Sequence, residues 1–255
     1  MNEGTYDNSM TVLAERSLKI GNGLKRIFWV AIAMGIIVII AIFAFMALAM
    51  LLAVKGAKYD YNFKDVSLFE MYGIPGIIVI AVIFCSILVA GIVYCVTLFK
   101  LNKYEAAFGI TAVLYLVNVI MGVIRYVVPG TGAAIYVLSM IATLAQLFFL
   151  LTGIYNSVRR VSQPRANVVK VLRNVFVALF IAVDASELLL KVPNLDVGLI
   201  GALLLIFAGI GLLGVSIWYI VELFRSASFL QRFGKSNINP YPNPMNYNSG
   251  NNWKY

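Results

Sequence analysis

The chain has 255 residues, 62% of them hydrophobic and only 12% charged, with a mean hydropathy of +0.90 and a net charge of +9. A soluble domain is about 45–50% apolar and about 25% charged, so too little polar surface remains to clothe a water-soluble globule, and lipid must be the solvent for much of the chain. The apolar runs are long and unbroken, which excludes a transmembrane β-barrel, whose strands alternate every second residue.

A spanning helix needs about 20 mostly apolar residues. Six runs qualify: 27–54, 74–99, 108–128, 133–154, 175–190 and 197–224. The fifth is short unless its helix begins near Val168, which the VVKVLRN lead-in allows. The expected fold is all-α, a polytopic integral membrane bundle of six transmembrane helices. It divides into an N-terminal segment (1–26), a membrane domain (27–225) and an Asn/Pro/Tyr-rich tail (226–255) that reads as disordered. Lys and Arg fall 15 on the side shared by both termini and 5 on the other. That is the positive-inside bias, and it predicts a cell-membrane protein with both termini in the cytoplasm. The basic charge is thus expected to set topology and to contact anionic lipids at the cytoplasmic face, not nucleic acid.

Residues 1–26 and the 28-residue run behind them do not fit a secretory signal, whose apolar region is about 7–15 residues. Met10, Leu13, Ile20, Leu24 and Ile27 recur at helical spacing beside Lys19, Lys25 and Arg26, so an in-plane amphipathic helix is one reading. A flexible tail is the other. The first span carries no polar side chain between Trp29 and Val54 and is expected to face lipid. In the loop 55–73, Ser67-Leu68-Phe69-Glu70 has the capping-box pattern, which predicts one interfacial helical turn. Tyr59, Tyr61, Phe63, Phe69 and Tyr72 would sit there at headgroup level. Pro75 suits the first turn of the second span. Cys85 and Cys95 lie ten helical residues, or about 15 Å, apart and cannot bridge each other.

The third span carries Thr111, Tyr115, Asn118, Gly122 and Arg125 at spacings 4-3-4-3, one polar and small stripe. Val128-Pro129-Gly130-Thr131-Gly132 is a tight turn, so the fourth span returns antiparallel. Its own stripe is Ser139, Thr143, Gln146 and Gly153, and folding the hairpin back brings Asn118 to the depth of Thr143 and Gln146. Such stripes either bond helices together or line a path for a solute. The segment 156–174 reads as an Arg-rich loop, with Pro164 where a new helix could begin.

The fifth span holds two carboxylates, Asp184 and Glu187, on one helical face. A charge at that depth costs about 2.5–3.5 kcal/mol and is tolerated only with a partner, a cavity or a neutralising proton. By topology Arg125 shares their leaflet, and the sharp expectation is an ion pair of Arg125 with Asp184 or Glu187. The bland one is a surface pair of Glu187 with Lys191 while Arg125 snorkels to the headgroups. After Pro193-Asn194 the chain turns, and Asp196 is placed to cap the sixth helix.

Gly209-Ile210-Gly211-Leu212-Leu213-Gly214 is formally GxGxxG. It lies inside an apolar span, without the strand that the dinucleotide motif requires, so close helix packing is the better reading. Ile92, Tyr94, Val96, Leu98, Phe99 and Lys100 echo Ile217, Tyr219, Val221, Leu223, Phe224 and Arg225 at a constant offset of 125. This fits parallel repeats of helix hairpins, but in so apolar a background the aromatic-then-cation ending common to spans that finish inward is the better reading. Histidine is absent, which removes His-ligated haem, zincin sites and Ser-His or Cys-His catalysis. No cofactor, metal or catalytic residue is expected.

The candidate site is therefore Arg125, Asp184, Glu187, Asn118, Gln146 and Tyr115. Two functions fit it. In one, the seam handles a small solute, ion or proton in the manner of a transporter or channel. In the other, the seam is structural, and the chain is a non-enzymatic assembly factor or membrane partner that binds another protein or its own copies.

Overall fold

The computed structural model describes residues 3–59, 68–128, 132–190, 192 and 195–238. They form six helices: α1 (Glu3–Tyr59), α2 (Leu68–Asn102), α3 (Ala106–Val127), α4 (Gly132–Arg159), α5 (Gln163–Leu190) and α6 (Leu195–Ile238). All six are long and apolar enough to cross a membrane, and the chain is a multi-pass membrane protein. Each helix packs on the next in sequence, and α6 returns to pack on α1, so the six close into a ring.

Two helices outrun any bilayer. At 1.5 Å per residue, the 57 residues of α1 reach about 85 Å and the 44 of α6 about 66 Å, against a hydrocarbon core of about 30 Å. The excess is used at the end of the bundle where α1 begins and α6 finishes, called here the terminal end. There the two helices run antiparallel in close contact: a Cβ added at Gly21 would lie 2.8 Å from the Ala227 carbonyl oxygen, and one at Gly234 would lie 2.7 Å from that of Ala14. Gln231 Nε2 donates to Asn22 Oδ1 at 2.7 Å. Neither a flexible tail nor an in-plane helix describes residues 9–26, because the segment continues straight into the first span. The expectation of disorder from residue 226 is likewise corrected through Ile238, since Ala227, Leu230 and Gly234 are spaced to mate with α1. Residues 239–255 lie outside the described part.

The connections at the terminal end are tight. The N–H groups of Tyr104 and Glu105 both bond the Leu101 carbonyl, and those of Val161 and Ser162 bond that of Val158. The Arg-rich segment 156–174 is consequently no loop: α4 runs to Arg159, and α5 starts at Gln163 with Pro164 in its first turn, where a missing N–H costs nothing. On the opposite side α2 contains one break, Gly73 at φ 65° and ψ 175°. Only glycine adopts that conformation cheaply, and it detaches the turn starting at Leu68 from the span beyond. Ser67, Tyr61 and Phe63 lie outside the described residues, as do the side chains of Tyr59, Phe69 and Tyr72. Asp196 sits inside the first turn of α6, not before it, where its charge complements the helix dipole.

Packing is uneven along the ring. The buried core of Ile20, Leu24, Leu98, Phe108, Leu151, Ile154, Val169, Leu172, Leu223 and Leu230 lies entirely in the terminal half. In the other half α1 presents apolar side chains on successive faces, with Val38 48%, Ile39 55% and Ile40 56% exposed. Here α5 and α6 stay close, because Gly201 faces the Ser186 carbonyl and Gly211 faces Leu179. Gly209 and Gly214 meet nothing, so the packing expected of the GxGxxG glycines is corrected to Gly211 alone.

Candidate functional site

The two stripes predicted on α3 and α4 face each other and join into one polar ladder. Its inner rung lies at mid-bundle. Asn118 Nδ2 donates to Gln146 Oε1 at 3.1 Å, and the Ser139 hydroxyl donates to Asn118 Oδ1 at 3.3 Å. Antiparallel hairpin geometry accounts for this, since Asn118 stands ten residues before the turn and Ser139 and Gln146 stand on the returning helix α4. The Tyr94 side chain of α2 lies beside Gln146. Its ring meets that of Tyr115 edge-on at 5.2 Å, and the Tyr115 hydroxyl lies over Gly91, where a Cβ would collide with it.

The outer rung gathers the charges. The Arg125 guanidinium lies 5.5 Å from the centre of the Tyr136 ring, and the Tyr136 hydroxyl donates to Glu187 Oε2. Asp184, one turn inward from Glu187, feels Glu187 as its charged neighbour. The expected ion pair is thus corrected: among the described residues Arg125 makes no salt bridge to either carboxylate. It reaches Glu187 through the face and hydroxyl of Tyr136, a cation–π contact followed by a hydrogen bond. Lys191, and with it the alternative Glu187–Lys191 pair, lies outside the described residues.

The structure thus brings Asn118, Gln146 and Tyr115 together on the inner rung, and Arg125, Asp184 and Glu187 on the outer one. From Tyr115 to Arg125 the ladder rises about 15 Å. Sequence reasoning missed Tyr136 and Tyr94. Tyr136 was within reach, because 136, 139, 143 and 146 continue the α4 stripe by one turn. Nothing in the local pattern around Tyr94 marked it.

Asp184 is half-buried, and among the described residues it has neither a hydrogen bond nor an ion pair. Among the described residues this rung holds two carboxylates, Asp184 and Glu187, and one guanidinium, Arg125; Lys191 lies outside them. No group of three or more metal-ligating side chains occurs among the described residues.

A second set of ionic contacts lies at the terminal end. Arg160 Nη2 binds Glu105 Oε2 at 2.8 Å, and Asn156 Nδ2 donates to Glu105 Oε1 at 3.1 Å. Burial, with Arg160 nearby, holds the Arg16 guanidinium below its usual range, while Glu105 opposes the shift. Arg165 Nη2 meets Glu222 Oε1 at 3.3 Å, and Ser226 donates to the same oxygen. Each carboxylate here has its cation, so these groups stitch helices together. Comparison with protein-family models, with curated proteins and with solved structures finds no match.

Proposed function

We propose that this multi-pass protein handles a small solute, ion or proton in the manner of a transporter or channel, and that Asp184 is its binding or titrating group. The single supporting observation is that Asp184 has neither a hydrogen bond nor an ion pair among the described residues. An intramembrane carboxylate without a protein partner, set beside a second carboxylate, is stable only if a cation, a proton or a polar solute completes it. A cation or proton answers an unpartnered carboxylate most directly. Glu187, Tyr136 and Arg125 would fix the outer rung, and Asn118, Gln146 and Tyr115 would continue the polar path inward.

The protein is proposed to act without enzymatic chemistry, in the cell membrane, with both termini in the cytoplasm. The 15-to-5 division of Lys and Arg supports that orientation. The test is flux into proteoliposomes carrying a pH-sensitive or cation-sensitive dye. Asp184→Asn should abolish flux while leaving folded yield unchanged. Equal loss of yield and flux would make Asp184 structural and sink the proposal.

One observation favours a second reading, that of a membrane partner or assembly factor. The outer half of α1 is apolar and exposed on successive faces, a surface that another protein or a second copy could cover. Under that reading Asp184→Asn would leave partner binding intact, whereas Ile39→Gly with Ile40→Gly would weaken it.

A further inference from the structure

Two cavities lie one beyond the other along the seam between α1 and α2. The first, about 420 Å³, lies at the terminal end and is lined by Lys19, Asn22, Arg26, Lys100, Lys103 and Tyr104. The second, about 530 Å³, lies in the apolar part of the bundle between Trp29, Val30, Ala33 and Ile37 of α1 and Val89 and Val93 of α2. They share helix faces: Arg26, Val30, Ala33 and Ile37 recur at helical spacing on α1, as do Lys100, Thr97, Val93 and Val89 on α2. The two cavities thus line one seam, a groove that is cationic at the terminal end and apolar beyond it.

Its charge is not answered within the described protein. Lys19 has only a surface contact with Glu15 at 3.8 Å. Arg26, Lys100 and Lys103 have no salt bridge among the described residues. Glu105, the carboxylate nearest Lys103 in sequence, is engaged by Arg160 and Asn156. Arg26 and Lys100 also stand at the ends of their apolar runs, which is the depth of lipid phosphates.

We infer that this groove binds one anionic phospholipid from the leaflet at the terminal end. Arg26, Lys100 and Lys103 hold the phosphate, with Tyr104 and Asn22 as hydrogen-bonding partners. One acyl chain lies along Val30, Ala33 and Ile37. Charge selects the headgroup, and the apolar arm selects a lipid over free phosphate, because a soluble anion would leave that arm unused. The site is independent of Asp184 and stands whether or not the polar ladder carries a solute.

Trp29 lies in the apolar arm and reports on it. In the full chain carrying Trp218→Phe and Trp253→Phe, delipidated in an uncharged detergent, Trp29 fluorescence is titrated with phosphatidylglycerol bearing brominated acyl chains. Brominated phosphatidylcholine and inorganic phosphate form the other two arms. Phosphatidylglycerol should quench at a mole fraction at least tenfold lower than phosphatidylcholine, and inorganic phosphate at equal concentration should not displace it. Near a surface each cation contributes about fivefold in affinity, so Lys100→Gln with Lys103→Gln should weaken quenching about 25-fold. Both side chains are exposed, and Arg26→Gln provides an independent variant. Equal quenching by the two lipids would overturn the inference, and so would unchanged affinity in both variants. Full displacement by inorganic phosphate would overturn it in favour of a free-anion site.

Discussion

Replacing Glu222 tests how α5 and α6 are joined at the terminal end. Its side chain is buried at 4% exposure, its Oε1 lies 3.3 Å from Arg165 Nη2, and the Ser226 hydroxyl donates to the same oxygen at 3.1 Å. Unit charges about 4 Å apart at an effective dielectric of about 20 attract by about 4 kcal/mol. The Arg165 side chain keeps 30% of its exposure, so water recovers part of that attraction when the partner is lost. Phe229, with its ring centre 5.2 Å from the guanidinium, is then the remaining favourable neighbour. Glu222→Ala should therefore cost about 2–3 kcal/mol, somewhat less than the 3–5 kcal/mol of a fully buried broken pair. Glu222→Gln, which keeps an acceptor for Ser226, should cost about half as much. The measurement is thermal unfolding in detergent, followed by loss of the monodisperse chromatographic peak, for both single variants, Arg165→Ala and the double variant. A coupling of about 1.5–2 kcal/mol is expected. Below about 0.5 kcal/mol the two sites are additive, and the ion pair contributes nothing to the joint.

The α1–α6 contact should be intolerant of bulk: Gly21→Leu is expected to lower stability by about 2 kcal/mol or more through overpacking, whereas Gly35→Leu, where an added Cβ meets nothing, should be neutral in the same melt. On the inner rung, Asn118→Leu and Gln146→Leu should each destabilise, and a double-mutant cycle should return about 0.6 kcal/mol of coupling, the usual worth of an intramembrane hydrogen bond. A coupling indistinguishable from zero would separate those two side chains. For orientation, Lys235→Cys in a chain with Cys85→Ser and Cys95→Ala should react with a membrane-impermeant maleimide only after the cells are opened; labelling of intact cells would reverse the proposed topology.

Six spans were legible because apolar run length is a strong signal and the bilayer thickness calibrates it. The α3–α4 register was legible too, since a tight turn and matched 4-3 stripes leave Asn118 little choice of partner. What escaped was information carried by pairs of distant segments. Residues 226–238 look polar enough to be tail, and only the small-residue match of Ala227 and Gly234 with Gly21 and Ala14 makes them helix. The cations of 156–174 looked like a loop because each was read alone, whereas Arg160 and Arg165 are matched by Glu105 and Glu222, far away in sequence. Tyr136 escaped because a tyrosine near a span's end is normally an interfacial anchor, and its role as the bridge between Arg125 and Glu187 exists only once α3, α4 and α5 are assembled.

The uneven packing follows from what each half of the bundle has available to hold it. Burial drives association where water is the competing solvent, and at the terminal end the helices extend past the lipid, so Leu24, Leu101, Val158 and Leu230 have water to escape. Deeper in the membrane the competitor is hydrocarbon, and a leucine gains little by leaving it. Helices there meet only where small residues let backbones approach or polar groups bond across. The other half of α5 has Ser186 and Glu187, α6 has Gly201, α4 has Tyr136 and Ser139, and α3 has Asn118, so those four remain associated. From Trp29 to Val54 α1 has no polar side chain, and its side chains from Ile36 to Met46 are mostly exposed. The intramembrane carboxylates therefore stand where helix contacts are fewest and polar links are most needed. Glu187 serves as such a link through Tyr136, but Asp184 links nothing among the described residues, and that difference is what sets it apart as the residue to test first.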